Sequence, residues 1–158
     1  MPDAAASLAT IEIGATVCGR ALTLSLARVL TFSGGPLDEP GWPQRSLHTD
    51  LELARAAGLD HLIASGTQSE GLLIGLLIDV VGSANWYRGG HLDVRFVKPV
   101  RVGDTVRPKL RWTRCEARDD VLQVTADCWC EVDNGERVVD GSMSCSVPRT
   151  AAAIVPAE

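Results

Sequence analysis

Two rhythms of apolar and polar positions divide this chain. From Leu92 onward the pattern repeats every second residue. Leu92, Val94 and Phe96 alternate with Asp93 and Arg95, with Lys98 flanking; Val106, Leu110 and Trp112 alternate with Arg107, Lys109 and Arg111. Leu122, Val124, Ala126, Cys128 and Cys130 face away from Gln123, Thr125, Asp127, Trp129 and Glu131. Val139, Met143, Cys145 and Val147 do the same against Asp140, Ser142, Ser144 and Ser146. Period two with one apolar face predicts half-buried strands. Asn134-Gly135 supplies the residues that tolerate positive φ, so the last two strands form a hairpin. Short links between three or four long strands predict an antiparallel sheet.

The other rhythm lies upstream. Val17–Leu24 is strand-like, and Ser25 is placed to cap a short helix through Phe32. Gly34-Gly35-Pro36 and Pro40-Gly41-Trp42-Pro43 then break the pattern, making Ser33–Arg45 a long irregular loop of the kind that often carries function. Leu51, Leu53, Ala54 and Ala57 give a short amphipathic helix closed by Gly58. A further helix over Gln68–Val81 carries Leu72, Leu73, Ile74, Leu76, Leu77, Ile78, Val80 and Val81, which point in every direction around its axis. Such a helix is expected to be buried on all sides. The fold class is therefore α+β, a curved antiparallel sheet wrapped around a central apolar helix, in one domain over residues 1–158. Met1–Ala6 and Thr150–Glu158 lack periodicity and are expected to fray as tails around a core of about 10–148.

Composition removes several function classes. A net charge of −5, with fifteen scattered Lys and Arg, gives no basic face for nucleic acid. Leu72–Val81 is too short to span a bilayer, which takes about 20 residues. No charged start followed by an apolar run marks a leader, so the expectation is a cytoplasmic protein with no membrane association. Five cysteines follow no ligand spacing and read as reduced thiols, with Cys128 and Cys130 on one side of a strand. No metal or cofactor is expected.

Candidate chemistry gathers in the middle. His48 precedes the short helix, and a glycine turn at Ile63-Ala64-Ser65-Gly66-Thr67 opens the apolar one. One titratable ring beside a bare helix N-terminus can move a proton next to a polarised carbonyl. Plain structural readings stand beside this: His48 as a capping or core histidine, and Gly66 as a turn glycine.

Leu47-His48-Thr49-Asp50, Ala54–Gly58, Ile63-Ala64-Ser65-Gly66, and Asp93–Val100 with Gly103-Asp104-Thr105-Val106 resemble the MaoC-like hydratase family, from about Gly14 to Val147. These are (R)-specific enoyl-thioester hydratases and 3-hydroxyacyl dehydratases with the hot-dog fold. The resemblance implies a homodimer that takes an acyl-CoA or acyl-carrier-protein thioester, adding or removing water. It implies His48 as acid or base and Gly66 as donor to the thioester oxygen. Ser65, Thr67, Gln68 and Ser69 are the polar residues placed to line the same substrate pocket, with a helix cap the plain reading for one of them. The family's D-x-N-P-x-H run is altered: Pro43 stands at the Asp position and Arg45 at the Asn position. Asp38, with Glu39 beside it in the loop, and Glu70 in the apolar helix are the candidate replacement carboxylates, Asp38 preferred, with a capping box to Thr67 the plain reading of Glu70. A thioesterase using Glu70, a diverged proton-transfer enzyme and a non-catalytic partner subunit are the competing functions.

Overall fold

A computed structural model describes residues 11–149 and the pair Ile154–Val155. Four long strands form the body of one sheet: β4 (His91–Phe96), β5 (Thr105–Arg118), β6 (Val121–Val132) and β7 (Arg137–Pro148). Two short strands, β2 (Thr16–Cys18) and β3 (Leu22–Thr23), both pair with β5. The order is β2-β5-β6-β7-β4, and every pairing in it is antiparallel. The strand expected over Val17–Leu24 is thus two pieces interrupted at Gly19-Arg20-Ala21. The β6–β7 hairpin turns at Asn134-Gly135, where Gly135 has φ +79° and the Asn134 side chain accepts the Glu136 N–H at 2.9 Å.

The apolar rhythm fixes which face of the sheet is covered. Val106, Leu110 and Trp112 on β5, Val124, Ala126 and Cys128 on β6, and Met143, Cys145 and Val147 on β7 are all buried. They pack on α3 (Gly66–Val81), whose Leu73 and Leu77 are fully enclosed. Burying each such side chain stabilises by about 2 kcal/mol.

The expectation that α3 is buried on all sides is corrected. Thr67, Gly71, Gly75 and Asp79, spaced by four, form one exposed stripe. The large apolar residues cover only the remaining directions, which a count of leucines and valines does not reveal.

Ser25 caps α1 (Leu26–Ser33), accepting the Arg28 N–H at 3.4 Å. Asp50 caps α2 (Leu51–Ala56), accepting from Glu52 and Leu53 at 2.9 and 3.3 Å. Ser83–Gly89 forms a further helix, α4, that the sequence pattern did not announce.

The N-terminal tail lies outside the described residues. Of the C-terminal tail expected to fray, Ile154–Val155 instead forms β8, which pairs in parallel with β1 (Ile11–Glu12). Two consecutive β-branched residues favour extended backbone, and β1 supplies the partner.

All five cysteines are free, and Cys128, Cys130 and Cys145 are buried. Burial pushes the Cys128 and Cys130 thiols up to about 12, so both stay neutral and unreactive. A thiol reagent applied to the native protein is expected to label Cys18 first, with Cys128 and Cys130 modified only after unfolding. Mass spectrometry of peptides checks this.

Candidate active site

His48 lies in a turn that backbone and side-chain bonds close tightly. The Thr49 hydroxyl donates to the Gln44 carbonyl at 2.6 Å and accepts the Ser46 N–H at 2.9 Å, while the Asp50 N–H reaches the Ser46 carbonyl at 2.9 Å. Asp50 is drawn away from this turn by the α2 cap and by an ion pair with Arg45, which also meets Glu52 at 3.2 Å. The Arg45 guanidinium, hydrogen-bonded to Asp50, holds that carboxyl below the usual range. Asp50 therefore remains a charged cap rather than an acid or base.

The ring of His48 is oriented by one bond. Its Nδ1 lies 2.9 Å from the Ile63 carbonyl oxygen. A carbonyl only accepts, so Nδ1 carries the hydrogen and, in the neutral ring, Nε2 is left as the basic nitrogen. Ile63 is itself fixed, because Ala64 donates to Val100 at 2.8 Å and Val102 to Leu62 at 3.0 Å. The segment that anchors His48 runs directly into α3.

That helix starts without a side-chain cap. Ser65 is the N-cap residue, but its hydroxyl pairs with Thr67 Oγ1 at 2.8 Å instead of a backbone N–H. The uncapped N–H groups and the helix dipole favour developing negative charge. Gly66 is required here by a close approach: a Cβ would stand 2.8 Å from the Phe96 ring.

His48 and this helix start face a common cleft of about 470 Å³. Ile63–Thr67 and Ser69 form one side, and Phe96–Val100 with Val138 and Val139 the other. A bulge shapes the second wall. The β6–β7 register shifts after Cys130, and the displaced Val138 turns its carbonyl to the N–H groups of Val97 and Lys98 at 3.0 and 3.4 Å. Bulges commonly re-aim residues beside active sites. The adjacent apolar pair Val138-Val139, which breaks the period of two, was the available signal. Phe96, expected to face the core, is instead 53% exposed.

The structure brings together His48, Ser65, Gly66 and Thr67, and it leaves out both proposed carboxylates. Asp38 is exposed in the loop, which Gln44 closes by donating its N–H to Gly34 O at 2.8 Å and its side-chain amide to Glu39 at 2.8 Å. Glu70 is half-buried on α3, does not line the cleft, and forms no capping box with Thr67. A turn closed on itself holds the loop acids away, and a residue one position past Ser69 points to a different side of α3. Of the strand cations, Lys98 borders the cleft, whereas Arg95 lies on a separate surface with Asp93 and Asp140. Among the described residues no cluster could hold a metal ion, and no helix is long and apolar enough to cross a membrane.

The sequence profile of the MaoC-like domain matches residues 44–131, more than half of the chain. The chain belongs to the MaoC-like domain family. Its fold is the hot-dog fold, and the solved structures it resembles agree. The MaoC-like dehydratase from Rhodospirillum rubrum superposes with a TM-score of 0.66 and 22% identity, over 87% of this chain and 92% of its own. The (R)-hydratase from A. caviae involved in PHA biosynthesis gives 0.63 and 22%, covering 86% of this chain and 96% of that one. The C-terminally truncated HadBC (3R-hydroxyacyl-ACP dehydratase) complex from Mycobacterium tuberculosis gives 0.58 and 18%, with 88% and 98% covered. At these identities the likeness carries the fold alone. No curated protein sequence matches the chain.

Proposed function

We propose that this MaoC-like chain, a single domain, is a hydro-lyase that adds water to a 2-enoyl thioester, or removes it from the 3-hydroxyacyl form. One observation carries the reading: His48, whose Nδ1 bond to Ile63 leaves Nε2 as the basic nitrogen, lines the same cleft as the uncapped start of α3. In the hydration direction Nε2 takes a proton from water as the water oxygen bonds to C3. The C2–C3 π electrons shift toward the thioester oxygen, where the Gly66 N–H and the helix start hold the charge. The enolate then takes a proton at C2 from the imidazolium, returning His48 to its neutral form. Hydrogen is gained at C2 and hydroxyl at C3, with no redox change.

The largely apolar cleft walls suit an acyl chain, and a second, polar hollow shares Lys98, Pro99 and Val138 with the cleft. It adds His61 and Arg101, suited to the phosphates of a CoA or carrier-protein arm. Lys98→Ala with Arg101→Ala is expected to raise KM for a CoA thioester about tenfold with kcat nearly unchanged, since the phosphates lie far from the reacting carbons. Steady-state kinetics check this. Among the described residues β4 is an edge strand, and this edge with the half-exposed Phe96 and Val97 beside the cleft supports a homodimer.

A second reading has one observation behind it. The cleft holds no carboxylate, as a non-catalytic protomer of a two-chain dehydratase would allow. Nothing comparable supports a thioesterase, because Glu70 is not at the cleft. Incubation with crotonyl-CoA separates all three: the hydro-lyase consumes the enoyl absorbance without releasing thiol, a thioesterase releases thiol, and an inactive subunit does neither.

A further inference from the structure

Ser69 is the fully buried polar residue of α3, at 0% exposure, and its hydroxyl has no hydrogen-bond partner. It lines the cleft one turn beyond Ser65, on the same helix face. Its backbone is engaged, since the Ser69 carbonyl accepts from the Cys130 thiol at 3.4 Å, so only the side chain is unsatisfied. Buried polar groups are nearly always paired, and an unpaired one calls for an explanation. Alanine would fill the same space without the penalty.

The other polar side chains of the cleft already have partners. Ser65 and Thr67 hydroxyls pair with each other, which leaves one hydroxyl hydrogen over, and Lys98 is paired with Glu136. His48 donates through Nδ1. Ser69 alone among these lining side chains is both fully enclosed and without a partner. A partner for its hydroxyl has to come from the cleft that the residue lines.

Position suggests which partner. Ser69 follows Gly66 by three residues, about 4.5 Å along the helix axis. That offset is comparable to the reach from a thioester oxygen to a substituent on C3. We infer that the Ser69 hydroxyl hydrogen-bonds the oxygen at C3 of the acyl chain, the water that adds or the hydroxyl that leaves. Ser69 then takes part of the work that a carboxylate at position 43 does elsewhere in the family. This rests on the hydro-lyase reading above.

The test compares two ligands that differ at C3, 3-hydroxybutyryl-CoA and butyryl-CoA, by calorimetric titration of the full-length protein. The native chain is expected to bind the hydroxylated ligand about tenfold more tightly, the worth of one buried hydrogen bond. Ser69→Ala should cut that preference severalfold, to what His48 supplies at the same oxygen, leave butyryl-CoA affinity unchanged and not lower the melting temperature. Ser69→Cys, close in shape but a weak donor, should cut it similarly. A preference that is absent in the native chain, or that is undiminished in both variants, overturns the role of Ser69 while leaving thioester binding intact. If neither ligand binds, the thioester reading itself fails, and this inference with it.

Discussion

Replacing His48 by alanine is expected to lower kcat for hydration of crotonyl-CoA by roughly 10² to 10⁴, the usual worth of a positioned acid or base. The structure gives the ring a defined role. Nδ1 is tied to Ile63, that tie leaves the basic lone pair on Nε2, and His48 lines the cleft. Glutamine in its place would keep polarity but no basic nitrogen, so His48→Gln should fall nearly as far. Asp38→Asn and Glu70→Gln should stay within about threefold of the native rate, because neither carboxylate borders the cleft. Steady-state rates for the four variants, followed by enoyl absorbance, check the set. Full activity in His48→Ala would remove the histidine from the reaction.

Gly141→Ala should be the more damaging change to the fold. Gly141 faces Val94 across the β4–β7 pair, and a Cβ there would stand 2.1 Å from the Asp93 carbonyl oxygen and 2.8 Å from Val94 Cα. Both obstacles are backbone, so no side-chain rotation relieves them. Forcing the strands apart is expected to cost about 3 kcal/mol, the upper part of the range for overpacking. For a chain of this size that lowers Tm by about 10 °C. The damage should reach the cleft as well. β4 leads directly into Phe96–Val100, so residual folded protein should bind acyl-CoA more weakly. Ser142→Ala, exposed on the same strand, should leave Tm within a degree or two and serves as the control. Urea or thermal denaturation of the pair measures the difference.

Much of the fold was readable because local and long-range demands coincide. Along Leu122–Cys130 and Met143–Val147 the alternation marks the face that packs on α3, and Asn134-Gly135 marks the hairpin between them. Ser25 and Asp50 stand where their helices are capped. The misses arise where partners distant in sequence decide. Ile154–Val155 is ordered by pairing with Ile11–Glu12, and Phe96 leaves the core because it packs on Gly66. The exposed stripe on α3 depends on which side the sheet leaves uncovered.

For the site, the motif around His48 and Ser65-Gly66-Thr67 located the residues that share the cleft. That neither Asp38 nor Glu70 joins them was beyond the pattern. The path of a loop with glycine or proline at Gly34, Gly35, Pro36, Pro40, Gly41 and Pro43 is set by bonds such as Gln44 to Gly34, not by periodicity. Ser69 was legible as one of the polar residues able to line the pocket, which it does. Its missing partner emerges from packing.

In the proposed reaction His48 and the start of α3 act on one thioester, and a crystal structure with butyryl-CoA, a saturated compound that cannot be dehydrated, examines this at atomic detail. The thioester oxygen is expected within hydrogen-bonding distance, about 3 Å, of the Gly66 N–H, with C3 facing His48 Nε2. A thioester bound away from Gly66, or an acyl chain that leaves C3 out of reach of His48, would contradict it.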